Sequence, residues 1–396
     1  MMNAEEKHKK IKNFATRQLN KIILPFWEMK IVDDRHGGFI GKIDMEDRRY
    51  YDSPKGIILN ARLLWTFSAV YGKTGNMKYL DLARRAFDYI DKNFQDPMYE
   101  GYYWMLNPDG SLNNGKKQVY AQAFVIYALA EYALQTGDRR RGERGLEIFS
   151  LIEEKAFDSE KNGYFEAFSR KWEDIEDLRL SDLDMNEKKT MNTHLHILEA
   201  YTHLYRFIPD AVLKSKIQNL LHVFDRYILN KKKNHLNLFF DENWQIKSTA
   251  ISYGHDIESA WLLREAAIVL KDEKEIDRFS AICIKLAESA LSAVGDEGGL
   301  IHDRDFHNVL PEEYEWWAQA EGIVGFSEAW KISGDDRYLD AALGLAQFID
   351  NYFVDKKFGE WYYRLDKNRN PIPGYEKAGF WKCPYHSVRM CLEIMR

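Results

Sequence analysis

Val119-Tyr120-Ala121-Gln122-Ala123-Phe124-Val125-Ile126-Tyr127-Ala128-Leu129-Ala130 is apolar nearly all the way round a helix. A helix at a protein surface carries one apolar stripe, so a helix with no polar face has to be covered on every side. A short turn, Thr136-Gly137-Asp138, follows it, and a longer aromatic connection, Tyr99-Glu100-Gly101-Tyr102-Tyr103-Trp104, precedes it. That arrangement recurs along the chain. Short turns stand at Lys73-Thr74-Gly75-Asn76, Ile208-Pro209-Asp210, Lys271-Asp272 and Ser333-Gly334-Asp335, each built from residues that break helices or reverse the chain. Long connections with a Gly-aromatic signature stand at Asp34-Arg35-His36-Gly37-Gly38-Phe39, Lys161-Asn162-Gly163-Tyr164-Phe165-Glu166 and Lys357-Phe358-Gly359-Glu360-Trp361-Tyr362-Tyr363. Asn234 to Asn243 and Asp296 to Asp305 occupy the equivalent places.

Periodicity and punctuation predict helices over 3–30, 55–73, 77–93, 117–136, 139–155, 189–207, 212–229, 255–270, 273–293, 312–333, 336–352 and 384–395. One unit of helix, long aromatic loop, second helix and short turn repeats six times, at a period of roughly 60–75 residues. Hairpins with short turns at one end and long loops at the other close into a ring of two concentric layers. The inner helices are those that follow the long loops. The predicted fold is all-α, an (α/α)6 barrel of six helical hairpins. An open solenoid is the alternative, and six units is the number that closes. No linker rich in Gly, Pro or Ser divides residues 1–396, which predicts a single catalytic domain.

A net charge of −6 is small for 396 residues and argues against nucleic acid as a partner. Three cysteines, Cys283, Cys383 and Cys391, give neither a disulfide framework nor a zinc spacing. The charged stretch Met1 to Lys12 lacks the apolar core of a signal peptide, and no apolar run reaches the length of a membrane span. These features predict a cytoplasmic protein without a membrane partner, a monomer or weak homodimer. With 11 Trp and 23 Tyr the chain has aromatic side chains enough for stacking platforms under sugar rings as well as for its core. The longest connection, 156–188, is charged and reads as a solvated loop, or as a wall or lid before the third inner helix.

The pocket of such a barrel opens where the long loops gather, at the N-termini of the inner helices. Residues out of place on apolar helices fall there: Arg62, Tyr120, Asn192 and His196, then His255 and Glu258, Trp316, Trp317 and Glu321, and finally Trp381 with His386. Asn192 and His196 stand four apart and so share a helix face. One polar or aromatic outlier per repeat at the same phase is hard to produce by packing alone. A metal site from His194 and His196 is disfavoured, because residues two apart on a helix point to different faces. A glycosidase would need two carboxylates across the scissile bond, for which Glu258 and Glu321 are candidates. Converging histidines suit proton transfer near neutral pH better.

Met191-Asn192-Thr193-His194-Leu195-His196, Gly254-His255-Asp256-Ile257-Glu258, Glu315-Trp316-Trp317-x-x-Ala320-Glu321 and Trp381-Lys382-Cys383-Pro384-Tyr385-His386 resemble the motifs of cellobiose 2-epimerases, within the N-acylglucosamine 2-epimerase superfamily. The resemblance runs over essentially the whole chain. It implies cofactor-independent, metal-free epimerisation at C2 of the reducing-end glucose or mannose of β-1,4-linked disaccharides, with a small carbohydrate as the only partner. By motif, His255 and His386 correspond to the acid/base pair and His196 to the assisting histidine. Arg62 is expected to stabilise the enediolate as a permanent cation. Tyr120, Asn192, Glu258, Trp261, Trp316, Trp317, Glu321 and Trp381 form the expected sugar-binding shell. Relatives acting on free mannose share nearly all these motifs, so a mannose 2-epimerase or aldose–ketose isomerase stays open, with a glycan-binding module as the non-enzymatic alternative.

Overall fold

The computed structural model describes residues 2–304 and 313–396. In chain order the helices are α1 (Ala4–Arg17), α2 (Leu24–Lys30), α3 (Ile57–Thr74), α4 (Met77–Tyr89), α5 (Val119–Thr136), α6 (Arg139–Lys155) and α7 (Met191–Phe207). They continue as α8 (Ala211–Val223), α9 (Tyr253–Leu270), α10 (Glu273–Leu291), α11 (Trp316–Ser333), α12 (Asp336–Phe348) and α13 (Tyr385–Ile394). The segments without a polar face form the inner layer: α3, α5, α7, α9, α11 and α13 each pack against the next, and α13 returns to α3. Each of α4, α6, α8, α10 and α12 lies against the inner helix before it, and α1 covers α13. The two chain ends therefore meet, and the six-hairpin ring closes as the spacing predicts.

The short turns work as their residues dictate. Gly75, Gly137 and Gly334 take left-handed φ values of 66°, 71° and 70° to end α3, α5 and α11, a conformation that costs glycine least. Asn76, Asp138, Asp210, Asp272 and Asp335 then cap the outer helices with their side chains.

Several boundaries differ from the sequence reading, and α9 starts at Tyr253, two residues before the expected 255. The helix expected over 3–30 is divided by a π-helical turn, Gln18–Ile23. Its buried positions step by four, through Ile11, Ala15, Leu19, Ile23 and Trp27. That spacing runs ahead of a 3.6-residue turn, and the wider turn absorbs the drift. The inner helices expected to start at 55, 117 and 189 start two residues later, because two-residue strands precede them. Lys55–Gly56, Lys117–Gln118, Lys189–Thr190, Ile251–Ser252 and Tyr314–Glu315 each pair antiparallel with a strand of a later connection. Residue 312, the expected start of the fifth inner helix, and Asp305, the end of the fifth long loop, lie outside the described residues; α11 itself begins at Trp316.

Four of the long connections share one clip. Lys55 Nζ bonds Asp33 at 2.7 Å and the Gly37 carbonyl at 2.5 Å. Lys117 repeats this on Asp96 and the Glu100 carbonyl, Lys189 on Asp158 and the Asn162 carbonyl, and Lys377 on Asp355 and the Gly359 carbonyl. In each clip the second carboxylate oxygen accepts backbone N–H groups of the loop itself, as Asp158 does from Glu160 and Lys161 at 3.0 Å. A buried ammonium satisfied in this way sets each loop against the start of its inner helix.

The charged connection 156–188 is a wall. Gln118 donates to the Arg179 carbonyl at 2.7 Å, Arg170 pairs with Asp96 at 2.8 Å, and Trp172 donates to the Tyr99 carbonyl at 2.9 Å. Among the described residues no helix is long and apolar enough to cross a membrane.

Candidate active site

A two-residue strand feeds five of the six inner helices, and the first two turns of the inner helices face the loop end of the barrel. On α7 the first turn separates its two histidines as a helix must. His194 is fully buried and spends both ring nitrogens on backbone: Nδ1 on the Thr190 carbonyl at 2.6 Å, and Nε2 on the Tyr164 N–H at 2.9 Å. Burial holds its pKa down at about 4. His196, two residues on, turns the other way and meets Tyr120 and Phe124 with ring centroids 5.0 and 4.9 Å apart.

His196, His255 and His386 share a different pattern from His194. Each commits Nδ1 and leaves Nε2 without a protein hydrogen bond among the described residues. His196 Nδ1 donates to Glu199 Oε2 at 2.8 Å, and His386 Nδ1 donates to Glu321 Oε1 at 2.8 Å. His255 Nδ1 meets Ser252 Oγ at 2.8 Å, and Ser252 is bonded in turn to Asp303. A neutral ring that donates through Nδ1 carries its lone pair on Nε2. Burial is the main cause of the depressed basicity of all three, taking His255 to about 3 and His386 well below its ordinary value, so the rings are neutral at pH 7. His255 and His386 both pack on Trp317, with ring centroids 4.7 and 5.6 Å away.

Arg62 is buried, and no carboxylate lies within ion-pair distance of it among the described residues. Its guanidinium donates to Tyr120 Oη at 2.7 Å and lies over the Phe124 ring at 4.3 Å. Its Nε has no partner. A buried cation without a counter-anion is poised for negative charge that develops on a bound ligand. Asn192 Oδ1 is likewise buried and unpartnered. Trp381 is half-buried beside Trp104 and Tyr120, at 5.9 and 6.1 Å. Residues 38–390 match the model of the N-acylglucosamine 2-epimerase (GlcNAc 2-epimerase) family.

The chain belongs to that family.

It is 42% identical to the cellobiose 2-epimerase of Bacteroides fragilis, over 97% of this chain and 98% of the relative. To the cellobiose 2-epimerase of Dictyoglomus turgidum it is 38% identical, over 98% and 99% of the two chains. The solved structure of the cellobiose 2-epimerase of Bacillus thermoamylovorans superposes with a TM-score of 0.93 at 35% identity, covering 98% of this chain and 99% of that one.

Four residues of the expected sugar-binding shell, Trp261, Glu258, Glu321 and Trp316, are committed to partners within the protein. Trp261 stands one turn deeper on α9 than Glu258. Its indole donates to Glu321 Oε2 at 3.0 Å and lies under Arg389 at 4.8 Å. It lines a cavity of about 220 Å³ at the opposite mouth, with Trp65, Tyr127, Glu131 and His203. Glu258 and Glu321 are also set back: both give Oε1 to Arg389 Nη2 at 2.7 Å. Trp316 packs against Tyr363 at 4.4 Å and Lys382 at 5.2 Å, further from His386 than Trp317 is.

Glu258, Glu321 and His386 offer ligand atoms within 4.8 Å of one another. The positive charge such a cluster needs is already supplied by Arg389, which occupies both carboxylate oxygens, so these residues do not fit a metal ion. Burial, then the neighbouring Glu321, pushes Glu258 up to about 8, so the pair holds one proton at neutral pH. Glu321 accepts from His386, Trp261 and Arg389, whereas among the described residues the Glu258 side chain accepts only from Arg389. The donor count places the proton on Glu258.

Sequence reading missed Arg389, Glu199, Tyr385 and His302. His302 meets Trp317 edge-on at 4.8 Å and stands 6.1 Å from His255. The first three had a signal, polar groups at the buried phase of α7 and α13; His302 sits in a connection without periodicity and had none.

Proposed function

We propose that this enzyme reversibly epimerises C2 of the reducing-end glucose or mannose in β-1,4-linked disaccharides such as cellobiose, lactose and mannobiose, without a cofactor. The observation that carries the reading is the pair of neutral histidines, His255 and His386, on two different helices and against one tryptophan, each with Nε2 open. A glycosidase reading is disfavoured by the same geometry. Its two carboxylates would stand at least about 5 Å apart across the bond, whereas Glu258 and Glu321 share one guanidinium nitrogen behind His386.

The proton at C2 of an aldose becomes acidic only when C1 is a carbonyl, so the pyranose opens first. His196, beside Tyr120, moves the proton between O1 and the ring oxygen. One of His255 and His386 takes the C2 hydrogen as a proton on Nε2, leaving an enediolate. Arg62 faces the developing negative charge with a buried guanidinium that has no carboxylate partner among the described residues. The other histidine, which has taken a proton from solvent on Nε2 beforehand, returns it to the opposite face of C2; the first releases its proton to solvent, and ring closure reverses the opening. No atom or electron is left over, and no step calls for nicotinamide or a metal. Trp317 and Trp381 hold the sugar rings, while Asn192 and Tyr120 meet hydroxyl groups. Trp261 acts from behind, by fixing Glu321. Three free, buried cysteines support a reducing, cytoplasmic setting, where we expect a monomer or weak homodimer.

Proton NMR of cellobiose incubated with the protein and a chelator tests the reading. The expected product is the disaccharide with mannose at its reducing end. A ketose as sole product would make the enzyme an aldose–ketose isomerase, an unchanged spectrum would make it a binding module, and activity abolished by the chelator would overturn the cofactor-free claim.

A further inference from the structure

A single guanidinium stands behind two of the three site histidines. Arg389, one turn beyond His386 on α13, is 1% exposed and touches carboxylates from three other inner helices. Its Nη1 bonds Glu199 of α7 and the Tyr385 hydroxyl, and its Nη2 bonds Glu258 of α9 and Glu321 of α11. Glu199 is the acceptor for His196 Nδ1, and Glu321 is the acceptor for His386 Nδ1. We propose that Arg389 is a positioning residue for the epimerisation: by holding Glu199 and Glu321 as carboxylates, it fixes the Nδ1–H tautomer of His196 and His386 together and so keeps both Nε2 atoms available as bases. This rests on the proposed reaction and adds to it a residue that never meets the sugar.

The chemistry follows from what each carboxyl group can do. A carboxylate accepts only, so it forces the facing ring nitrogen to be the donor. A carboxylic acid can donate to that nitrogen instead, which moves the ring hydrogen to Nε2 and removes the base. Three acidic groups meet around one cation here. Glu199 is held down at about 2 against its burial, chiefly by Arg389; burial pushes Glu321 up, with Arg389 first among the groups that oppose the rise, and Glu258 already keeps its proton. Arg62 from α3, Tyr120 and Tyr127 from α5, and Tyr385 and Glu393 on α13 itself also face the cluster. Weakening Arg389 raises the proton affinity of Glu321, and the working tautomer of His386 then persists only at higher pH. An ammonium cannot replace it, because only a planar fork reaches all three partners at once.

The test is the pH dependence of cellobiose epimerisation by wild type, Arg389→Lys and Glu321→Gln. Wild-type activity establishes the reaction itself, so its absence would sink the functional reading rather than this one. Arg389→Lys should lose roughly 10- to 100-fold in kcat with KM within about threefold, since the lost interaction acts on the base and not on the bound sugar. The acidic limb of its kcat profile should move up by about one pH unit, so that part of the loss is recovered at alkaline pH. Glu321→Gln, which keeps the shape and removes the charge, should show the same kcat loss at unchanged KM. The double variant should be little worse than Arg389→Lys alone, because the loss through His386 is already taken there. An acidic limb coinciding with wild type, a loss confined to KM, or single losses that multiply in the double variant would each overturn the inference. Should Arg389→Lys fail to fold, the kcat and KM of Glu321→Gln decide it alone.

Discussion

On α7, His196 and His203 stand seven residues apart, and both are buried. At the turn end of the barrel His203 has spent everything: Nε2 bonds Glu131 at 2.5 Å, and Nδ1 accepts from Arg206 at 3.2 Å. At the loop end His196 bonds Glu199 through one nitrogen and keeps the other. The arginines differ in the same way. Arg206 is paired with Glu265 at 2.7 Å, whereas Arg62 has no carboxylate among the described residues. For these histidines and arginines the turn end is a paired network, whereas the loop end keeps unspent hydrogen-bonding capacity. Buried polar groups are normally paired, so the unspent groups mark where the ligand completes the structure.

Substitutions that treat the two ends alike should give unlike results. Arg62→Lys should cost about 100-fold or more in kcat/KM, close to Arg62→Ala, because a point charge does not reproduce the fork facing the enediolate. Arg206→Lys, at the paired end, should leave turnover intact. Steady-state kinetics on cellobiose decides both, and an Arg62→Lys enzyme near full activity would make Arg62 structural. The tryptophans should split next. Trp381→Ala should mainly raise KM, by about 10-fold, since stacking binds ground and transition states alike. Trp317→Ala should lower kcat as well, because its ring is packed against both His255 and His386. His203→Leu strands Glu131 and should cost about 3 kcal/mol of stability in denaturant titration, with turnover per folded molecule unchanged.

The smallest effect is the pH dependence of the fold. His194 is neutral in the native state down to about pH 4, while the unfolded chain takes up its proton near 6.5. Between those values the unfolded state binds more protons, so stability falls as pH falls, by about 3 kcal/mol for this group. Melting temperatures should decline steadily from pH 6.5 to 4. His194→Gln, which can still pair with the Thr190 carbonyl, should flatten that slope.

What was legible follows from the range of each signal. The inner helices announced themselves because a missing polar face, as in Val119–Ala130, has few other causes. The turns were legible because Gly75, Gly137 and Gly334 and the Asp and Asn caps act within a few residues. Arg62, His196, His255 and His386 stood out as polar residues on apolar helices. The clips on Lys55, Lys117, Lys189 and Lys377 did not, because each reaches an aspartate 21 to 31 residues earlier and a lone lysine reads as a solvated charge. Trp261 was misplaced for a related reason. Sequence phase gives the face of a helix but not the depth along it, and one turn moves a side chain from the pocket to the layer beneath. Arg389 carried the opposite lesson, since a charge between Val388 and Met390 on an inner helix has to be paired.

The two-base claim is tested most directly by following solvent deuterium into C2 with His255→Asn and His386→Asn. Wild type should place deuterium at C2 of the epimeric product. Each variant should lose epimerisation by about 1,000-fold or more, while the surviving histidine still exchanges the C2 hydrogen of one epimer, a different epimer in each variant. Equal exchange of both epimers by both variants, or substantial epimerisation by either, would contradict the pair and turn attention to His196 as the second base.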